Sequence, residues 1–308
     1  FITSTAFLKV LRENVARNVD ELPPAGEYAQ EAGSRFALSS LGYTWWKTLR
    51  DVIRVGWNDC KALLRGRRKR DSYPLFGWVP TIVRRQLNYR FFLQNGVRPE
   101  ALAQRRAVYV PLHLEPEIAL LALSPEFNNS MEMIAWISKS CPADVLVVVK
   151  EQPLSFGVRS RRFYEQLLQI GNVVLAHPET SSWEWIRAAN VTATITGTAA
   201  TEAVAFGRPV LSFGRHQAVN LLPTVRLATE YESTCTGLSE LFGLDPADPV
   251  FELSRRAYHD AQMSCSFAFS GFEKVYESDK PQEALAAKAL DGLMQVCPGL
   301  SRDDARLP

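Results

Sequence analysis

Apolar residues recur along this chain with two different periods, and the change between them divides it in three. Over residues 5–19, Phe7, Leu8, Leu11 and Val15 fall on one helical face, with Thr3, Ser4 and Thr5 placed to cap it. Residues 22–26 are rich in Pro and Gly and read as a loop. Residues 43–64 carry Trp46, Leu49, Ile53, Trp57 and Leu63 at spacings mostly near three and four, which predicts a second amphipathic helix. Residues 81–93 predict a third. From about 105 to 235 the pattern changes. Short apolar runs at 106–113, 144–150, 172–176, 191–196 and 209–213 predict strands. Helical patterns at 129–140, 160–170, 181–189 and 199–206 lie between them, the third opening on two serines suited to capping. The tail, from about 250 to 308, reads as helices, most clearly at 282–295 with Leu285, Ala289, Leu290 and Leu293.

Strands that alternate with helices predict an α/β fold, a Rossmann-like parallel sheet with helices on both faces, flanked here by N-terminal and C-terminal helices. Residues 104–240 are the expected Rossmann-like domain. Residues 1–103 are expected to be a helical connector, and 241–308 to be helices packing back on the domain. In such a sheet the loops at the carboxyl ends of the strands share one edge, where ligands bind.

Composition narrows the picture without redirecting it. The 308 residues are 46% hydrophobic and 22% charged, enough for a sizeable core. The net charge of +2 gives no reason to expect nucleic acid. No apolar run is long enough to span a membrane. Cys60, Cys141, Cys235, Cys265 and Cys297 are far apart and form no Cys-x-x-Cys pair, so neither a disulfide framework nor a zinc ribbon is expected. A reducing cytoplasm is the natural compartment. The chain opens on Phe1, and its start lacks the pattern of a signal peptide; we expect it to begin inside a longer protein.

Four stretches on strand ends carry candidate chemistry. Thr196-Gly197-Thr198-Ala199-Ala200-Thr201-Glu202-Ala203 joins a strand to a helix. Gly197 permits a sharp turn and close approach of a ligand, Thr198 can cap the helix, and the first helical amides suit a phosphate. Glu202, one turn on, can reach ribose hydroxyls. The same residues equally suit a tight turn in any α/β fold. Lys150-Glu151-Gln152-Pro153 ends the most β-branched strand, and nearby Arg159, Arg161 and Arg162 favour anions; a solvated strand end is the alternative. Pro111-Leu112-His113-Leu114-Glu115-Pro116-Glu117 puts an imidazole and two carboxylates on one loop, so His113, Glu115 and Glu117 are candidates for proton transfer or hydroxyl binding, or incidental polar loop residues. No His-x-x-x-His pair is present, and no metal site is expected. Gly207–Gly214 closes the unit, with Gly214 on the ligand edge. Arg65-Gly66-Arg67-Arg68-Lys69-Arg70 is the densest basic run, suited to anionic lipid headgroups or simply solvated.

In order along the chain, these stretches resemble the bacterial capsule polysaccharide biosynthesis family, which includes the Kdo transferases of capsule export systems. Pro111–Glu117 is similar to a first-strand motif of Leu-His, an aromatic, then Pro-Glu. Val149–Pro153 is similar to Val-Lys-Glu-His-Pro. Thr196–Ala203 followed by Gly207–Gly214 is similar to Thr-Gly-Thr-x-x-x-Glu-Ala and Gly-Lys-Pro-Val with a final Gly. The likeness spans roughly residues 105–230. It implies a GT-B glycosyltransferase, two Rossmann-like domains facing a cleft, of which this chain supplies the C-terminal, donor-binding half. The implied donor is a nucleotide sugar, CMP-Kdo for the Kdo members, and the implied acceptor a capsule or surface glycan or glycolipid. It implies that Lys150, Glu151, Gln152 and Pro153 lie by the nucleotide. It also implies that Thr196, Gly197, Thr198 and Ala199 cradle the phosphate and that Glu202 supports that turn or the ribose, with Gly214 alongside. Gln152 departs from the family's histidine: it keeps a hydrogen-bond donor and loses the positive charge. No N-terminal Rossmann pattern is visible in 1–103, so acceptor contacts and the catalytic carboxylate are expected outside this chain.

Two other classes of function fit the same residues. One is an epimerase acting on a nucleotide-linked sugar, with His113, Glu115 and Glu117 around one cleft. The other is a non-catalytic scaffold of a polysaccharide assembly, peripheral on the inner membrane or export complex, suggested by Gln152 and the basic run.

Overall fold

A computed structural model describes residues 5–25, 44–66, 69–70, 73–102, 105–114, 120, 124–127 and 129–265. Glu115, Glu117 and the helix expected at 282–295 lie outside the described residues.

The helices are α1 (Thr5–Val15), α2 (Trp45–Leu64), α3 (Trp78–Asn95), α4 (Ser130–Ser140), α5 (Arg161–Leu168), α6 (Ser182–Ala188), α7 (Ala199–Ala205), α8 (Tyr231–Gly243) and α9 (Pro249–Ser264). β1 (Lys69–Arg70) and β2 (Tyr73–Pro74) pair antiparallel. Seven further strands, β3 (Gly96–Val97), β4 (Ala107–Pro111), β5 (Leu146–Lys150), β6 (Val173–Ala176), β7 (Val191–Thr194), β8 (Val210–Ser212) and β9 (Val225–Leu227), form one all-parallel sheet in the order β3-β6-β5-β4-β7-β8-β9. The fold is α/β and Rossmann-like.

The centre of the sheet is β5, β4 and β7. Val108, Tyr109, Val110, Val147, Val148, Val149 and Ala193 are fully buried there, as strands covered on both faces require. The chain steps from β4 to β5 to β6 in one direction, returns across the sheet, and steps from β7 to β8 to β9 in the other. Right-handed crossovers therefore put helices on opposite faces before and after the return. α4 packs with α8, and α6 with α7.

Five of the seven strands match the runs expected from the sequence. The edge strands β3 and β9 do not, because two or three residues carry no period to read. β3 lies within the segment read as a connector, and its approach to the sheet is close: a Cβ on Gly96 would stand 2.5 Å from the Phe92 carbonyl oxygen and 2.8 Å from His177 Cα. α3 starts earlier than the 81–93 pattern suggested, since Pro80 in a first helical turn costs no hydrogen bond. α6 is capped as expected, by a reciprocal pairing of Ser181 with Glu184.

The chain divides into two compact units. The sheet unit comprises described residues in 44–220 and 224–251. The second comprises residues 5–25, 221–223 and 252–265. In it the Asn14 amide donates to Ala257 O (3.2 Å) and Asp260 Oδ2 (3.0 Å), and the rings of Phe7 and Tyr258 meet edge to face at 5.7 Å. Among the described residues Cys60, Cys141 and Cys235 are in no disulfide, and no helix is long and apolar enough to cross a membrane.

Candidate functional site

The strand order decides where a ligand can sit. β4 and β7 are neighbours, yet the chain leaves them toward opposite edges of the sheet. Their carboxyl-end loops diverge and leave a crevice, the usual ligand position in open α/β sheets. A cavity of about 110 Å³ opens there. β4 and its loop contribute Tyr109, Pro111, Leu112 and His113; the end of β5 contributes Lys150, Glu151, Gln152 and Pro153. Ser182 opens α6, and the β7 turn brings Thr194, Gly197, Thr198, Ala199 and Glu202. Whole-ligand pockets run to roughly 300–1,000 Å³. The enclosed space therefore suits part of a ligand, such as a phosphate, with the rest outside. Three stretches 40 residues or so apart in sequence thus line one cavity, as parallel strand ends dictate.

Glu151 lines the cavity with its carboxylate already hydrogen-bonded within the protein. It is 1% exposed and takes hydrogen bonds from Arg159 Nη1 (2.7 Å), Tyr164 Oη (2.6 Å) and the Gln152 amide (2.8 Å). Burial pushes its carboxyl above the ordinary range, while Arg159, Tyr164 and the Gln152 amide pull it down. Arg159 also donates through Nη2 to the His113 carbonyl. This corrects the expectation that Arg159 offers its charge to an anion: its guanidinium ties the β5 loop to the β4 loop. Arg161 is likewise engaged, with Glu165 at 2.9 Å on the exposed side of α5.

His113 is 4% exposed. Its Nε2 accepts from the Ile195 amide at 3.2 Å and lies 3.1 Å from Thr194 Oγ1. An accepting Nε2 places the proton of the neutral ring on Nδ1. Burial, then the nearby Arg159 charge, holds the imidazole down at about 4. It is neutral at pH 7 and splints β4 to the β7 turn. Gly197 makes room for it: a Cβ there would lie 3.0 Å from His113 Cε1 and 3.1 Å from Thr194 Oγ1. Gly197 is thus explained by close packing and not by a left-handed turn.

Lys150 contrasts with these hydrogen-bonded groups. It is 5% exposed, and its ammonium has no hydrogen-bond partner. Desolvation lowers it to about 8, opposed by the charges of Glu184 and Glu151. Across the cavity, Thr198 Oγ1 donates to Glu202 Oε1 at 3.2 Å. The expected cap is not made: Thr198 has helical φ and ψ, which turn its hydroxyl away from the following amides. Burial raises the Glu202 carboxyl, which the hydrogen bonds from Thr198 and Trp183 partly offset.

Of the remaining expected residues, Thr196 and Gly214 fall outside the lining. The Thr196 hydroxyl is buried without a partner and outside the lining. Gly214 is packed against the Ile195 carbonyl, and its own carbonyl accepts from Asn220 Nδ2 at 2.7 Å. Gln152 is exposed at the cavity mouth. Sequence reasoning missed Tyr109, Ser182, Thr194 and Tyr164. Tyr109 and Thr194 sit inside apolar strand patterns, and a polar group in a fully buried strand was the available signal.

No family model matches the sequence, and no curated protein matches it either. Parts of solved structures are similar. A β-Kdo 2,7 transferase of Thermosulfurimonas dismutans KpsC is 17% identical over 58% of this chain and 57% of that one, with a TM-score of 0.33. A UDP-GlcNAc 2-epimerase of Methanocaldococcus jannaschii, in complex with UDP-GlcNAc and UDP, is 12% identical over 57% and 50%, with a TM-score of 0.36. The spinosyn rhamnosyltransferase SpnG, complexed with thymidine diphosphate, is 14% identical over 52% and 42%, also at 0.36. The chain spans about half the length of the structures it matches.

Proposed function

We propose that the cavity between the β4 and β7 loops holds the phosphate of a nucleotide sugar, and that the chain is the donor-binding half of a glycosyltransferase. Lys150 carries this reading. A buried ammonium without a partner costs several kcal/mol, roughly, and an anionic ligand removes that cost with a charge-assisted hydrogen bond. Gly197 leaves the turn open to close approach, and Glu202, paired with Thr198, accepts ribose hydroxyls. Gln152 at the mouth donates a hydrogen bond where the resembled family has histidine. Glu151, Arg159 and His113 set the positions of the two loops. In this reading residues 104–240 carry the donor site, within a sheet unit that also takes in α2, α3 and β3. CMP-Kdo is the donor to test first, and a capsule or surface glycan or glycolipid is the acceptor. The carboxylate that activates the acceptor belongs to the other half of the cleft.

Calorimetry with CMP and UDP tests the site. We expect binding, weakened by Lys150→Met and by Glu202→Gln. Affinity unchanged by Lys150→Met would remove the basis of the reading. Incubation with donor alone that yields an isomerised sugar would move the assignment to an epimerase.

A further inference from the structure

α2 presents three faces. At about 100° per residue, Thr48, Asp59 and Ala62 share one side and are buried. That side rests on α3, where Thr48 Oγ1 donates to Gln86 Oε1 at 3.2 Å. A second arc, roughly 80° wide, carries Trp46, Leu49, Ile53, Trp57 and Leu64, which are 78, 47, 61, 62 and 88% exposed. Trp46, Leu49, Ile53 and Trp57 are, with Leu63, the residues whose spacing predicted an amphipathic helix. The structure turns them outward, because the side that packs on α3 is lined by small and polar residues. The third arc, alongside the second, holds Lys47, Arg50, Arg54, Lys61 and Arg65, all exposed.

Such a helix departs from the pattern of a soluble one, which keeps its apolar stripe against a core. The acidic residues of α2 offset the basic row only at Arg54. Asp59 is buried and accepts from the Phe76 amide at 2.8 Å, and Asp51 pairs with Arg54 and Arg85 at 3.3 and 3.5 Å. The Phe76 amide held by Asp59 belongs to a residue at φ 64°, a costly conformation for a bulky side chain, and its ring is 41% exposed. In sequence α2 runs directly into Arg65-Gly66-Arg67-Arg68-Lys69-Arg70.

We propose that this face of α2 docks on an anionic lipid surface, lying flat in its interface. Trp46, Ile53, Trp57 and Leu64 enter the boundary between headgroups and acyl chains, and the basic row meets the anionic headgroups. The row of five basic residues beside the stripe makes the partner anionic, which a second copy carrying the same row is not. The inference stands apart from the nucleotide-sugar reading, since vesicle binding and nucleotide affinity are measured separately and either can fail alone.

The test is flotation of the full chain with vesicles of phosphatidylcholine alone and of phosphatidylcholine mixed with phosphatidylglycerol, with tryptophan emission as a second readout. The expected result is salt-sensitive binding to the mixed vesicles, a blue shift on binding, and little binding to the neutral ones. The triple variant Lys47→Glu, Arg50→Glu, Arg54→Glu and the double variant Ile53→Asp, Trp57→Ser should each weaken binding by at least about tenfold. Both should keep the circular dichroism spectrum, because the altered side chains are exposed. Three outcomes would overturn the proposal: no vesicle binding, equal binding to both compositions, or binding that both variants leave intact. A dimer that Ile53→Asp with Trp57→Ser dissolves, without vesicle binding, would assign the face to a second copy and overturn it as well.

Discussion

The cavity edge of the sheet and the outer face of α2 depart from ordinary burial in opposite directions. At the cavity, Lys150, Glu151, Arg159 and His113 are all less than a tenth exposed. On α2, three tryptophans and four aliphatic residues face solvent. Charges sit inside where a ligand could meet them, and apolar groups sit outside where a surface could. The two regions also differ in how they are held. Glu151, Arg159, Tyr164 and His113 form a bonded network that fixes loop geometry, so its loss would be felt as stability. The α2 stripe has no such role in the fold, so its loss would be felt in association alone.

The largest expected effect is at Glu151. Glu151→Ala leaves the Arg159 guanidinium buried without its carboxylate and should lower stability by about 3–5 kcal/mol, measured by urea unfolding. A change under 1 kcal/mol, roughly, would mean that the network is not structural. Lys150→Met should act in the opposite sense. It removes an unpaired buried charge, so stability should hold or rise, while affinity for a nucleotide falls by roughly 10–100-fold.

The same lysine sets a pH dependence. Lys150 is held at about 8 in the folded chain, below its ordinary 10.5. Between those values the unfolded chain binds the extra proton, so stability rises with pH across that window. Below it the lysine is charged in both states and its burial cost is fully present. Anion affinity should fall as pH rises past about 8, and Lys150→Met should flatten both curves. His113, held at about 4 against an ordinary 6.5, makes stability fall as pH drops through that interval. Unfolding and binding isotherms from pH 4 to 10 separate the two groups.

Gly197→Ala is a smaller change. Its Cβ, 3.0 Å from His113 Cε1, would press on the imidazole and cost about 1–2 kcal/mol, read by thermal unfolding. Trp46→Gln should do least. At 78% exposure, its replacement should leave stability within about 0.5 kcal/mol. A larger loss would show that the α2 stripe is part of the fold and would erase the contrast with the cavity.

Much of the sheet was legible because a strand or helix writes its period into adjacent residues. Val145–Val149 and the serines at 181 and 182 needed no knowledge of their neighbours in space. The candidate site was legible in outline, since strand ends in an alternating pattern share one edge. Its internal assignments were not. Arg159 read as a free cation, and only the fold of the segment between β5 and α5 pairs it with Glu151 and the His113 carbonyl. Thr198 read as a cap, and only its helical backbone turns the hydroxyl to Glu202.

The sequence by itself determined the α/β class, the five inner strands and the stretches that meet at their ends, because periodicity and turn chemistry act over a few residues. The tertiary structure alone decided three things. It set the reversal between β4 and β7 that makes the crevice, the isolation of the Lys150 ammonium, and the side of α2 that faces out. Each depends on contacts between residues far apart in the chain. α2 shows the reason most plainly: an apolar stripe fixes which residues share a face, and only the partner helix α3 fixes which face is covered.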